Sequence, residues 1–204
     1  MTSVAILDYG MGNLRSVRRA VARVGGSPTV TSDPADAARA DALVVPGVGA
    51  FGACMRGLSA TGLDAVVREF ASSSRPVLGV CLGMQVLFES SEEDPDPGLG
   101  LVPGTVRLLP AGPGVKVPHM GWNEVRWRAD HPLTRGIPSG TRFYFVHSYA
   151  PDVTEGVTVG VAEHGREFTA AVAQGSVFAT QFHPERSGDA GLALYESFVK
   201  ESSS

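Results

Sequence analysis

Apolar positions along the chain form short runs separated by stretches with helical spacing. Val4-Ala5-Ile6-Leu7 reads as a buried strand, after which Leu14, Val17, Val21 and Val24 recur along one helix face. Asn13 is placed to cap that helix, and Gly25-Gly26 to stop it. Thr29-Val30-Thr31 is a second short strand, and Asp33-Pro34 has the cap-then-proline order of a helix start. Ala42-Leu43-Val44-Val45 is a third strand that runs into the turn Pro46-Gly47-Val48-Gly49, which joins it to a helix. A helix over residues 62–72 precedes the strand Pro76-Val77-Leu78-Gly79-Val80, and Met84-Gln85-Val86-Leu87-Phe88 again reads as helical.

Short apolar strands alternating with helices predict a mainly parallel sheet covered on both faces. In such sheets ligands sit beyond the carboxyl ends of the strands, where the loops at 46–49 and 79–83 should meet. The second half differs. After a loop at 92–98, most segments read as strands rich in Val, Phe and Tyr, with a helix returning at about 192–200 before a frayed polar tail at 201–204. No repeat or composition break marks a linker, so residues 1–204 are expected to form one α/β domain with an antiparallel extension.

Composition narrows the function classes. The chain has 204 residues, 43% hydrophobic and 19% charged, with net charge −4, which offers no electrostatic basis for binding nucleic acid or an anionic membrane. Arg15, Arg18, Arg19 and Arg23 have the spacing of a solvated helix side. No apolar run approaches the ~20 residues of a spanning helix, and no export signal opens the chain. Two cysteines without CxxC spacing argue against a disulfide framework and for a reducing cytoplasm. The Cys and His residues show no ligand spacing, so neither a metal nor another cofactor is expected.

The chemistry concentrates at Gly79-Val80-Cys81-Leu82-Gly83, the cysteine form of a nucleophile elbow. Small neighbours permit a sharp strand-to-helix turn that points the sulfur out of the sheet. A helix N-terminus there would favour thiolate, and the Leu82 amide could face an oxyanion. The same turn could hold a structural cysteine. Cys54 has no such setting and reads as core. Among five histidines, His183 in Gln181-Phe182-His183-Pro184-Glu185 is the candidate base. In extended backbone, His183 and Glu185 would leave on one side, so the carboxylate could orient the imidazole. Taken alone, His-Pro-Glu could also be no more than a strand terminus.

Taken together, the elbow with Gln85 and the His183-Pro184-Glu185 segment resemble the catalytic pattern of the class I (triad) glutamine amidotransferases. Four further segments carry the likeness across nearly the whole chain: Asp8-Tyr9-Gly10-Met11-Gly12-Asn13-Leu14, the 46–51 turn, Pro118-His119-Met120-Gly121-Trp122-Asn123, and Phe145-Val146-His147-Ser148-Tyr149. They resemble the glutaminase subunits of imidazole glycerol phosphate synthases. The resemblance implies a flavodoxin-like three-layer sandwich and glutamine hydrolysis through a thioester on Cys81, with His183 and Glu185 completing the triad. It implies oxyanion donors at Leu82, Val48 and Gly49, and glutamine contacts at Gln85, Ser148, Tyr149 and, more weakly, Glu93. It also implies a separate cyclase subunit of (βα)8-barrel fold, met by Asn13, Trp122, Tyr144 and Arg186; many family members have Lys where this chain has Arg186. His147 is expected to support its strand, and His119 to lie on the interface side. A stand-alone cysteine hydrolase would share the elbow and base but act alone. A glutaminase serving another synthase would share the triad.

Overall fold

A computed structural model describes residues 1–203. In chain order the elements are β1 (Ser3–Leu7), α1 (Leu14–Arg23), β2 (Ser27–Thr31), α2 (Pro34–Ala38), β3 (Ala42–Gly47), α3 (Phe51–Thr61), α4 (Leu63–Ser72), β4 (Val77–Cys81) and α5 (Leu82–Gln85). There follow β5 (Phe88–Ser91), β6 (Val102–Leu108), β7 (His119–Trp127), β8 (Thr141–His147), β9 (Tyr149–Pro151), β10 (Thr158–Glu163), β11 (Glu167–Gln174), β12 (Val177–Thr180) and α6 (Gly188–Glu201).

The main sheet has nine strands in the order β2-β1-β3-β4-β12-β11-β10-β7-β8. The run from β2 to β12 is parallel, and the remainder continues it antiparallel. This is the mainly parallel sheet with an antiparallel extension that the pattern predicts, and the flavodoxin-like sandwich that the resemblance implies. Strand alternation assigns the two cores. Val4 and Ile6 of β1 point to the side of α1 and α6, where Val17, Val21, Leu194 and Phe198 are buried. Ala5 and Leu7 point to the other side, among Phe51, Leu58, Val67 and Phe70 of α3 and α4. Arg15, Arg18, Arg19 and Arg23 lie on the exposed side of α1. No helix among the described residues is long and apolar enough to cross a membrane.

Several local expectations need correction. Asn13 precedes α1 but its side chain makes no capping bond; its carbonyl accepts the Ser16 and Val17 amides instead. Asp33 does cap α2, accepting the Ala35 amide at 2.8 Å. The helix expected from about residue 62 to 72 is α4, directly preceded by Gly62. At φ +71° this glycine is the left-handed joint between α3 and α4. The helical pattern at 84–88 yields only the four-residue α5, because Phe88 begins β5, which pairs with β6 and so with β9 in a separate three-stranded sheet. α6 begins at Gly188 and runs through Glu201, with Ser202 and Ser203 still bonded to its last turn, so no fraying is seen there; Ser204 lies outside the described residues.

Candidate active site

Parallel register gathers the site. Gly47 of β3 pairs with Cys81 of β4, and Thr180 of β12 pairs with Val80. The carboxyl ends of three adjacent strands thus deliver the glycine turn, the cysteine and the histidine segment to one edge. Cys81 sits at φ +56°, a left-handed conformation that a non-glycine residue adopts only when its surroundings impose it. Close backbone approach imposes it here: a Cβ on Gly83 would stand 1.8 Å from the Val45 carbonyl oxygen, and one on Gly47 would stand 2.5 Å from the Gly83 nitrogen. α5 is a single turn, so the long helix dipole expected behind the sulfur is absent. The free amides of that turn remain, starting at Leu82.

Cys81 and His183 line one cavity of about 280 Å³, together with Val48, Gly49, Leu82, Gln85, Glu93, Ser148 and Tyr149. Every catalytic, oxyanion and glutamine-contact residue picked out in the sequence therefore lines this cavity, except Glu185, which stands behind His183. Glu185 Oε1 accepts His183 Nδ1–H at 2.9 Å, and both side chains are almost wholly buried. Their shared side does not come from extended backbone. Pro184 opens a 3-10 turn over Pro184–Arg186 that swings the carboxylate back under the imidazole. His183 Nε2 has no hydrogen-bond partner among the described residues. Burial alone would lower the imidazole's affinity for its proton. The nearby Cys81 sulfur and the Glu185 carboxylate outweigh burial and lift its pKa to about 10.

Gln181 was not singled out in the sequence. It is fully buried, donates its amide to Cys81 Sγ at 3.7 Å and accepts Gln85 Nε2 at 3.0 Å. Strand alternation from His183 is the one signal that could have found it. Gln85 Nε2 also donates to the Tyr149 carbonyl at 2.9 Å. Glu93 lines the cavity, but its Oε2 already accepts the Phe51 amide at 2.9 Å, supplying the cap that Ala50 cannot give α3. Tyr9 donates its hydroxyl to the Pro46 carbonyl, at the root of the glycine turn. Cys54 is buried in the core, where desolvation pushes its thiol up to about 12.

The expected interface residues stand apart from the cavity lining. Trp122 is 55% exposed and stands on β7 rather than on a loop, because residues 119–125 pair in register with β8. Its ring meets Tyr144 edge-on at 6.3 Å, and the Arg186 guanidinium covers the Tyr144 ring at 4.2 Å. Asn13 is half-buried. His119 does not belong to the exposed face: it is buried and bonded to His147 at 2.9 Å.

The geometry agrees with the comparisons. The family described as Glutamine amidotransferase class-I matches residues 5–201. The chain belongs to this class of glutamine amidotransferases. It is 50% identical over 209 residues to the imidazole glycerol phosphate synthase subunit HisH of Aromatoleum aromaticum, covering 98% of each chain. It is 51% identical to the subunit of the same name from Thermobifida fusca, over 96% of this chain and 97% of that one. Within the class it therefore belongs to the HisH subunits of imidazole glycerol phosphate synthase. The fold is shared more widely: PurLQS from Thermotoga maritima superposes with a TM-score of 0.76 at 20% identity, over 98% of this chain and 99% of that one.

Proposed function

We propose that the chain, acting as one amidotransferase domain over residues 1–204, hydrolyses glutamine at Cys81 and passes the ammonia to a cyclase subunit of (βα)8-barrel fold. His183 takes the thiol proton, and the Cys81 sulfur attacks the side-chain amide carbon of glutamine. The tetrahedral oxyanion is met by the Leu82 amide and by an amide of the Val48–Gly49 turn. His183 then protonates the departing nitrogen, which leaves as ammonia, and a γ-glutamyl thioester remains on Cys81. Water attacks the thioester carbon and gives its proton to His183. The sulfur is expelled, and glutamate is released. Glu185 holds His183 in the tautomer with its proton on Nδ1 and stabilises the imidazolium formed in each half-reaction. Gln85, the backbone at Ser148 and Tyr149, and the free oxygen of Glu93 receive the amino-acid head group.

Trp122, Tyr144, Arg186 and Asn13 form the face offered to the cyclase, with Trp122 as its aromatic anchor. In the cyclase's own active site the ammonia joins a phosphoribosyl-formimino carboxamide ribonucleotide, yielding imidazole glycerol phosphate and aminoimidazole carboxamide ribonucleotide. The reaction needs no cofactor in this subunit, and its setting is the cytoplasm. The observation that carries the reading is a positive-φ cysteine lining one cavity with a glutamate-bound histidine whose Nε2 has no partner among the described residues.

Glutamate release is measured with the chain alone, with the cyclase, and with cyclase plus nucleotide ligand. Weak activity that rises steeply with the loaded cyclase, and vanishes in Cys81→Ala, is expected. Activity that survives Cys81→Ala overturns the mechanism. Full activity of the chain alone overturns dependence on the loaded cyclase and leaves the triad standing.

A further inference from the structure

A buried pair of histidines that the reaction does not use reaches the cavity, which His147 helps to line. His119 on β7 and His147 on β8 face each other in register. His119 Nδ1 lies 2.9 Å from His147 Nε2, and His147 Nδ1 lies 2.8 Å from the Tyr149 carbonyl oxygen. At the other end, Asn123 Nδ2 lies 3.2 Å from His119 Nε2 and also donates to the Glu163 carbonyl at 2.9 Å.

The partners dictate the protons. A carbonyl only accepts, so His147 carries its proton on Nδ1 and presents a lone pair at Nε2. His119 must then donate from Nδ1, which leaves its Nε2 to accept from Asn123. Donation therefore runs one way, from Asn123 through two neutral imidazoles to the Tyr149 oxygen. Both imidazoles are held neutral, His119 lowered to about 4 and His147 to about 3, with burial the first cause of each. Protonating His147 would set two N–H groups against each other across the pair, and protonating His119 would set its Nε2–H against the Asn123 amide. Stacking fixes the rings: His119 lies on Phe145 at 4.9 Å and on His164 at 4.1 Å.

The chain of bonds ends on a functional atom. The Tyr149 carbonyl also accepts Gln85 Nε2, so His147 and Gln85 grip one peptide of the cavity wall from two sides. Resting on the glutaminase reading above, we infer that His119 and His147 are positioning residues that hold the Ser148–Tyr149 wall, with Gln85, in the geometry that binds glutamine.

The test is steady-state glutamate release by the complex with its cyclase, with glutamine varied. Asn at position 147 keeps an amide donor close to where Nδ1 sits. Gln extends past it and loses the bond to Tyr149. His147→Gln is expected to raise the KM for glutamine about tenfold, the scale of one buried hydrogen bond, with a smaller change in kcat. His147→Asn should stay within about threefold of the wild-type KM. Alkylation of Cys81 by iodoacetamide, which does not use the wall, should be equal in both. If His147→Gln does not fold, His119→Phe serves instead: it keeps the stack on Phe145, removes the donor to His147, and should raise KM about threefold or more. An unchanged KM in a folded His147→Gln or His119→Phe overturns the inference, as does equal impairment of the Asn and Gln variants. Failure of the wild-type complex to release glutamate would instead overturn the glutaminase reading and this inference with it.

Discussion

Gly83→Ala puts the elbow geometry to a quantitative test. The added Cβ would stand 1.8 Å from the Val45 oxygen, 2.7 Å from its carbon and 3.2 Å from the Pro46 carbon. Ordinary contacts between heavy atoms sit near 3.5 Å, so the elbow and β3 must part by about 1.5 Å or more. The obstacle is backbone rather than a pliable side chain, which places the cost at the upper end of overpacking, about 3 kcal/mol. For a chain of this size that lowers Tm by about 6–12 °C. Leu82, whose amide faces the proposed oxyanion, directly precedes Gly83, and Gly47 packs against the same peptide. Misplacing a catalytic group by ~1 Å can cost on the order of 10²-fold in rate. Thermal unfolding of the chain and glutamate release by the cyclase complex measure the two effects separately. A Tm within about 2 °C of wild type, with kcat/KM within about threefold, would refute the claim that close packing builds the elbow. A lowered Tm with full turnover would refute only the link from packing to the oxyanion amide.

Other consequences follow from single contacts. Glu185→Gln can turn its NH2 toward His183 Nδ1 and favour the wrong tautomer, so kcat should fall on the order of 10²–10⁴-fold; a loss below tenfold in glutamate release would sink the orienting role. Trp122→Ala should weaken cyclase affinity by about 30-fold, the equivalent of ~2 kcal/mol at an aromatic anchor. Calorimetric titration reads this directly, and an unchanged Kd would place the interface elsewhere. His119 and His147 have folded-state pKa values near 4 and 3, below the ~6.5 of an unfolded histidine. The unfolded chain therefore binds more protons below that pH. The stability is present above pH ~6.5 and is lost as pH falls through ~4 and ~3. The Tm of His147→Asn should fall less steeply than wild type over that acid range, and parallel curves would contradict the burial of neutral rings.

Local chemistry was legible in the sequence to the extent that neighbours in the chain decide it. The apolar run of β1 and the Asp33-Pro34 start act within a few residues, and the glycines flanking Cys81 marked a sharp strand-to-helix turn without showing that Gly83 makes room for the backbone of β3. Motif likeness extended this to His183, Glu185 and the glutamine contacts. Helix length after the elbow was not legible, since Phe88 is claimed by β6, a partner fourteen residues away in register. Nor was the route by which Glu185 reaches His183, which depends on a turn rather than on strand alternation.

The sequence by itself determined which residues carry reactive groups and which positions need a small or apolar side chain, because these follow from covalent structure and local sterics. Only the tertiary structure decided which of those groups meet. The parallel pairing of β3, β4 and β12 sets Cys81 beside the His183 segment across about a hundred residues. The antiparallel pairing of β7 and β8 turns His119 inward to His147 and leaves Trp122 outside. Register is a property of two strands at once, set by how both sheet faces bury their side chains, and it cannot be read from either strand alone.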